Sequence, residues 1–328
     1  MRRKRVRPFH FNRVKMLAVM FSFLFFLFSM YVYSFMSVGD IEHYKNSYNG
    51  MSFSIISSYS HYRGAIGSWE IVPFFISYIF SIITSYDFYA SFLNFIMAYF
   101  LSIIVLSRKY NRWIVFALIF PLNYYFLVLS FGAERLKVAV VFMLAFYYFY
   151  NVKVSRTRSF SAVIISLLSH VQMVILYFSI ALSSIGARRV IKFAPFFLIF
   201  MSVVLALLLV NPFVIDILLN KLKIYVELSQ VSLGSFLGIF LLVIGCGFDK
   251  KQLKSVFALS LVFAFVIMLV GATRINIMLY FLYVGFFLTR HTKIFSFKFL
   301  IFLVSSIYFN YKGYFFIIDV ISGGDGFN

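Results

Sequence analysis

The sequence predicts an all-α protein that crosses a membrane many times. Of its 328 residues, 63% are hydrophobic and only 12% are charged, and the mean hydropathy is +0.96. A soluble globular chain is closer to half apolar and one quarter charged. The apolar residues also gather in runs near the ~20 residues that an α-helix needs to cross a bilayer. These observations predict one polytopic domain over residues 1–328 with about 10 or 11 transmembrane or re-entrant helices.

The predicted helices follow a basic N-terminus. Seven Lys or Arg residues lie within residues 1–15, and an apolar run then extends from Met16 to about Val38. This run is too long for the apolar core of a typical signal peptide and lacks a small-residue cleavage site. We therefore expect residues 1–15 to be a cytoplasmic anchor. The predicted apolar segments are 16–37, 69–85, 88–107, 113–131, 135–151, 160–184, 192–210, 232–248, 255–273, 275–289 and 295–310.

The charges of the connecting loops predict an orientation. Clusters of Lys and Arg occupy the short loops 107–113, 151–159, 184–192, 249–254 and 290–298. The positive-inside rule places these loops in the cytoplasm. The two long loops, 38–68 and 211–231, are nearly balanced in charge, so we place them outside together with the turns at Arg135 and Arg274. Basic residues spread over short loops do not form a nucleic-acid-binding surface, so no nucleic-acid partner is expected.

Counting spans conflicts with this orientation at two places. Two full spans at 69–85 and 88–107 would return a basic loop to the outside, and one span at 160–184 would place Arg188 and Arg189 outside. We therefore expect one member of the first pair to be re-entrant and the segment 160–184 to be broken at His170. Non-helical backbone at that depth is tolerated beside protein or a watery cavity.

Three ionisable side chains, Arg135, His170 and Arg274, interrupt otherwise apolar stretches. Such groups are costly in hydrocarbon and often mark functional sites. Arginine presents a planar fork that matches phosphate, which predicts an anion site. Each residue also has a structural explanation. Arg135 can pair with Glu134 or reach the interface, Arg274 can reach the interface, and His170 can bond a backbone carbonyl in the core.

Two carboxylates in the predicted outer region are candidates for a general base. Asp40 lies four residues before Tyr44, and Glu70 opens a predicted span after Ser68 and Trp69. Asp40 and Ser68 also suit a helix N-cap, and Glu70 suits the positive end of a helix dipole. The predicted spans contain no internal Asp or Glu of the kind that proton-driven transporters use.

Several familiar chemical motifs are absent from the sequence. There is no phosphate-binding G-x-x-x-x-G-K-[ST] loop, no G-x-S-x-G elbow, no H-E-x-x-H helix and no Asp-x-Asp pair. The single Cys246 excludes an internal disulfide. We therefore expect neither a metal ion nor a cofactor.

The order of these residues resembles the EpsG-like branch of bacterial polysaccharide polymerases, which includes O-antigen polymerases of the Wzy type. The resemblance covers residues 38–290. Asp40 and Tyr44 precede a span led by Glu70, Arg135 opens a helix that reads Arg-Leu-Lys-Val-Ala, and His170 follows Ser-Leu-Leu-Ser. Arg274 then precedes Tyr280 in a late span. The family often has Arg-Gln where Arg135-Leu136 stands, and a small residue at the position of Val171.

The resemblance implies a fold like that of the GT-C membrane glycosyltransferases, and a function in lipopolysaccharide or other surface-polysaccharide biosynthesis. It implies transfer between undecaprenyl-diphosphate-linked oligosaccharides at the outer face of the bacterial cytoplasmic (inner) membrane. It assigns Arg135 and Arg274 to the substrate diphosphate, His170 to the diphosphate or the acceptor proton, and Asp40 or Glu70 to the acceptor. Membrane lipid and a chain-length regulator are the further candidate partners.

Three other functions are alternatives for a membrane protein with these residues. A flippase for lipid-linked sugars would carry charges along a central cavity, whereas here the unusual charges are predicted to gather on one face. An O-antigen ligase would have a larger outer loop than 211–231. In membrane acyltransferases the key His usually stands beside Asn or Asp, and His170 has neither neighbour.

Overall fold

The computed structural model describes residues 8–67, 69–107, 112–120, 122–170, 172–174, 176–177, 233–246, 256, 260–264, 266–268, 272–289, 296–324 and 326. These residues form helices and no strands, which confirms the all-α prediction for this part of the chain. The helices are α1 Pro8–Tyr33, α2 Asp40–Asn49, α3 Ile55–Ile66, α4 Ile71–Ser81, α5 Tyr86–Leu106, α6 Arg112–Ile119, α7 Tyr124–Phe131, α8 Glu134–Tyr147, α9 Arg156–Ser169, α10 Leu237–Cys246, α11 Ala272–Thr289 and α12 Phe297–Ile321.

Four stretches of helix in the described part of the chain are long and apolar enough to cross a membrane. They are Asn12–Tyr33, Tyr86–Leu106, Glu134–Val152 and Phe297–Ile321. Two bent pairs also pass this test when each is taken as one span, which raises the number to six in the described residues. These are α3 with α4, bent by 116°, and α6 with α7, bent by 54°. The helices indicate a protein embedded in a membrane.

The predicted spans agree with these helices to different degrees. The segments 16–37, 88–107 and 135–151 are confirmed as long helices. The segment 69–85 contains only the eleven residues of α4, about 16 Å at helical rise. With α3 it forms a pair bent by 116°, a geometry that fits either a broken span or a re-entrant loop, so the re-entrant segment stays a prediction. The segment 113–131 divides into α6 and α7, which together are long and apolar enough for one span, bent by 54°.

Other predicted boundaries are wrong or fall outside the described residues. The predicted outer loop 38–68 is largely helical, since it contains α2 and α3. The last predicted span, 295–310, is too short, because α12 continues to Ile321. The loop 184–192, the span 192–210 and the loop 211–231 lie outside the described residues.

The chain divides into two compact units. One contains residues 1–173 and 303–328, and the other contains residues 174–302. In the first unit α1 packs along α5, and α8 packs on both α5 and α9. Buried aromatic residues fill the contacts, such as Phe25 of α1 against Phe120 and Phe126. In the second unit α10 packs on α11, where Gly238 lies close to Asn276 and Leu279.

Local sequence signals explain where the short helices of the first unit begin. The side chains of Ser54, Ser85 and Asn123 each accept a hydrogen bond from a backbone N–H in the first turn of α3, α5 and α7. These are the residue types that favour an N-cap, because they satisfy otherwise unpaired N–H groups. Gly67 ends α3 with a φ of 63°, a left-handed conformation that glycine adopts without steric cost.

Candidate functional site

Glu70 stands at the start of α4 and points away from that helix's own backbone. It occupies the N-cap position, but its side chain accepts no capping hydrogen bond. Glu70 Oε2 instead accepts a hydrogen bond from Arg135 Nη1 at 3.2 Å, and Oε1 accepts one from His170 Nδ1. The positive end of the α4 dipole stabilises a carboxylate at this position. Glu70 therefore carries a negative charge between two donors from distant parts of the chain.

Arg135 is the second residue of α8 and reaches toward α2 and α4. Its Nε donates to the Tyr44 hydroxyl at 3.3 Å, and its Nη1 donates to Glu70. A guanidinium has five N–H donors, so the described residues engage only part of its capacity. The Arg135 side chain is 15% exposed. This arrangement leaves N–H groups of Arg135 for a ligand oxygen.

His170 ends α9 with an extended backbone conformation, so the helix stops at this residue. Its backbone oxygen accepts a hydrogen bond from the Met173 N–H, which forms a tight turn. The predicted break of segment 160–184 at His170 is thus confirmed, while residues beyond Tyr177 on the other side of the break lie outside the described part. The same break turns the imidazole toward Glu70.

The hydrogen bond to Glu70 also determines which ring nitrogen of His170 carries a hydrogen. Nδ1 must carry the hydrogen that it donates to the carboxylate, so in a neutral ring Nε2 has a lone pair. Nε2 lies 3.1 Å from Gln172 Oε1, an acceptor, so the neutral ring with its hydrogen on Nδ1 requires the Gln172 amide to turn and present its NH2 group to Nε2. A histidine oriented by a carboxylate on one nitrogen has its other nitrogen available for proton transfer.

These contacts define the Glu70 cluster: Glu70, Arg135, His170, Tyr44 and Gln172. Its members come from α2, the start of α4, the start of α8 and the end of α9. The structural explanation that pairs Arg135 with Glu134 is wrong, because Glu134 pairs with Lys137. The explanation of His170 by a side-chain bond to a backbone carbonyl is also wrong, since both ring nitrogens face side chains.

A second polar group, the Lys137 cluster, lies on another face of α8, because Lys137 follows Arg135 by two residues, and it was not predicted as a site. It contains Lys137, Glu134 and Tyr33. The Lys137 ammonium group is fully buried and bonds Glu134 Oε2 at 2.7 Å, the Tyr33 hydroxyl at 3.0 Å and the Ser130 carbonyl at 2.9 Å. Glu134 itself is buried, but it is the first residue of the span Glu134–Val152, so it does not contradict the expectation that the spans lack an internal Asp or Glu.

A small cavity of about 20 Å³ lies between the two clusters. Arg135, Tyr44 and Glu134 are among its lining residues. It is also lined by Ser47, Tyr62 and Tyr86, whose buried hydroxyl groups have no hydrogen-bond partner among the described residues. The volume suits one water molecule or one ligand hydroxyl. Tyr48 lines the same cavity, and burial raises the pKa of its hydroxyl, an effect that the hydrogen bond with Thr84 partly offsets.

The other two predicted site residues are not part of the Glu70 cluster in the described residues. Asp40 is exposed at the first position of α2, whose N-cap is Gly39, so the prediction that Asp40 caps the helix is wrong. Tyr44, one turn later, is the residue of α2 that reaches Arg135. Arg274 belongs to α11, and its side chain lies outside the described residues.

Two members of the clusters could have been found in the sequence. Lys137 stands three residues after Glu134 in an apolar stretch, a spacing that pairs side chains on one helix face. Gln172 lies two residues beyond the predicted break at His170. The contact of Tyr44 with Arg135 joins residues 91 positions apart, and no local pattern indicates it.

Comparison of the chain with protein-family models, curated proteins and solved structures finds no match.

Proposed function

We propose that the protein is a membrane glycosyltransferase that polymerises oligosaccharide repeat units carried on undecaprenyl diphosphate, as O-antigen polymerases of the Wzy type do. The observation that supports this proposal is the Glu70 carboxylate held between Arg135 and His170. The cluster combines a cation with unused donors and a histidine oriented by a carboxylate. Glycosyl transfer from a lipid diphosphate needs both, one for the leaving group and one for the attacking hydroxyl.

The reaction begins with a sugar hydroxyl of the acceptor, which is a fresh lipid-linked repeat unit. Its oxygen attacks the anomeric carbon of the growing chain, and the bond between that carbon and the diphosphate oxygen breaks. The hydroxyl proton passes to His170 Nε2, after the hydroxyl takes the place of the Gln172 amide. Glu70 stabilises the imidazolium that results, because its carboxylate accepts the hydrogen of Nδ1.

The diphosphate leaves with the bonding electrons and gains negative charge. Arg135 stabilises that charge with the N–H groups that Tyr44 and Glu70 do not engage. A fixed cation that interacts more strongly with the developing charge than with the ground state accelerates the step. The resemblance also implies a diphosphate-binding role for Arg274, whose side chain lies outside the described residues.

Deletion of the gene, followed by gel analysis of the surface polysaccharide, tests the class of function. A polymerase defect leaves single repeat units attached to the mature surface glycolipid. A flippase defect leaves no repeat units at the surface, and a ligase defect leaves intermediates on the lipid carrier. Either of the last two patterns would contradict the proposal.

Substitutions in the Glu70 cluster test the mechanism in the deletion strain. We expect His170→Gln and Glu70→Gln each to leave single repeat units, with the protein still present in the membrane. His43→Gln and Glu42→Gln are matched controls, because both residues are exposed on α2. Normal long chains in His170→Gln would contradict the proposed proton transfer to His170. They would not bear on the anion-binding role of Arg135, which is tested separately.

A further inference from the structure

An apolar cavity of about 420 Å³ lies between α4, α5, α8 and α9. Its walls include the rings of Phe80, Phe92, Phe100, Phe142 and Phe149. Pockets of this size, lined by apolar side chains with a few polar groups, are typical of small-molecule and cofactor sites. The proposed chemistry does not use this cavity.

The polar lining of the cavity is confined to one end. Thr157, Arg158 and Ser161, all near the start of α9, are the hydroxyl-bearing and charged residues among those that line it. Along α8 the lining extends from Val138 to Phe149, roughly 16 Å at helical rise. The cavity is therefore a long apolar space with a guanidinium group at one end.

Arg158 is placed at this end by an unusual connection. After α8 the chain forms a π-helical turn, Tyr148–Val152, and Val154 adopts a φ of 52°. A β-branched residue at positive φ is strained, and such strain persists only where the surrounding structure holds it. The connection brings the Arg158 guanidinium to 5.9 Å from the centre of the Phe149 ring.

The charge at this end selects an anion. Residues 151–169 contain Lys153, Arg156 and Arg158, and they contain no Asp or Glu. Among the described residues no carboxylate forms an ion pair with Arg158. An arginine fork favours a phosphate group over a neutral one.

We propose that this cavity binds an anionic phospholipid, with an acyl chain between the four helices and its phosphate on Arg158. The other end of the cavity begins at Val138, one turn after Arg135. A substrate diphosphate at Arg135 would thus bind at the opposite end from the phospholipid phosphate. The bound chain supports the helices that carry Glu70, Arg135 and His170.

Lipid titration of the purified full-length protein in neutral detergent tests this proposal. Phosphatidylglycerol and phosphatidylcholine with the same acyl chains are compared by lipid binding in native mass spectrometry and by Tm. A ligand that binds only the folded state raises Tm. We expect phosphatidylglycerol to bind and raise Tm, and phosphatidylcholine to do so much less.

Two arginine variants separate the site from general surface charge. Arg158→Gln should weaken phosphatidylglycerol binding at least about fivefold, the effect of one basic residue near an anionic lipid. Arg156→Gln should bind as the parent does, since Arg156 is equally exposed and lies two residues away but does not line the cavity. Equal losses in the two variants would overturn the proposal in favour of nonspecific attraction.

Two further measurements identify the occupant. Ala162→Phe places a large ring in the cavity and should reduce phosphatidylglycerol binding even with Arg158 present. Undecaprenyl phosphate is titrated in parallel. If it alone raises Tm, or if phosphatidylcholine matches phosphatidylglycerol, the phospholipid proposal is wrong. None of these measurements depends on polysaccharide synthesis.

Discussion

Two polar clusters lie on different faces of α8 and use similar residues in different ways. In the Lys137 cluster the ammonium group has 0% exposure and three oxygen partners. An ammonium has three hydrogens, so this cation is saturated. In the Glu70 cluster the Arg135 side chain is 15% exposed, and the described residues engage only two of its N–H groups.

The difference separates a structural cation from one that can bind a ligand. A saturated, fully buried lysine has no donor left and no access to an incoming anion. An arginine with remaining donors that lines a small cavity has both. Position in the sequence does not distinguish a structural residue from a ligand-binding one, since Glu134 and Arg135 are neighbours and yet belong to different clusters.

The largest expected effect is on stability, from Lys137→Met. This change leaves Glu134 buried without its cation, and breaking a buried ion pair in this way costs about 3–5 kcal/mol. We expect a lower free energy of unfolding in detergent and less protein in the membrane. Denaturant unfolding of the purified protein measures the difference.

The matched control for Lys137 is Lys153→Met, because Lys153 is exposed. Adding Glu134→Met to Lys137→Met removes the unpaired carboxylate and should restore most of the stability. If Lys137→Met is as stable as the parent but inactive, the Lys137 cluster is functional. That result would contradict the assignment of Lys137 as a structural cation.

The next effect is on activity, from Arg135→Ala. We expect the polymerisation rate on lipid-linked repeat units to fall about 100- to 1,000-fold, the usual effect of removing a donor that stabilises transition-state charge. The unfolding free energy should change less than in Lys137→Met, because the Glu70 side chain is 13% exposed and keeps its bond to His170. Arg135→Lys should recover less than about one tenth of the rate, since an ammonium does not replace the planar fork.

Arg156→Ala serves as the control for Arg135, because it removes an exposed arginine of α9. A parental rate in Arg135→Ala would contradict the assignment of a diphosphate site. A fall in rate that matches an equal fall in protein level would make Arg135 a structural residue like Lys137.

Some residues of these clusters can be predicted from the sequence and others cannot, for physical reasons. Arg135 and His170 are visible as polar residues in apolar runs, and the break at His170 follows from loop charge. The partner of both, Glu70, lies 65 and 100 residues away from them, so its role depends on tertiary packing. The bend between α6 and α7 was missed because hydropathy over 113–131 is continuous, although the sequence has two helix-boundary residues there, Pro121 and the N-cap Asn123.

A smaller effect is expected from Tyr44→Phe. This change removes one neutral hydrogen-bond partner of the Arg135 guanidinium and leaves the ring in place. A hydrogen bond to a charged group contributes about 1.5 kcal/mol or somewhat more, so the rate should fall about tenfold. Tyr59→Phe on α3 is a control with the same chemical change. A rate equal to that of the parent would show that Glu70 alone orients Arg135.

The smallest expected effect is from Asp40→Asn, which distinguishes the two carboxylates proposed from sequence. Asp40 is exposed at the start of α2, whereas Glu70 bonds both Arg135 and His170. A general base must lie within hydrogen-bond reach of the proton it accepts or of the group that relays it. We therefore expect the rate in Asp40→Asn to stay within about twofold of the parent, far above that of Glu70→Gln. A rate more than tenfold below that of the parent in Asp40→Asn, with normal protein levels, would indicate that the acceptor hydroxyl binds near α2. Glu70 would then act mainly in positioning Arg135.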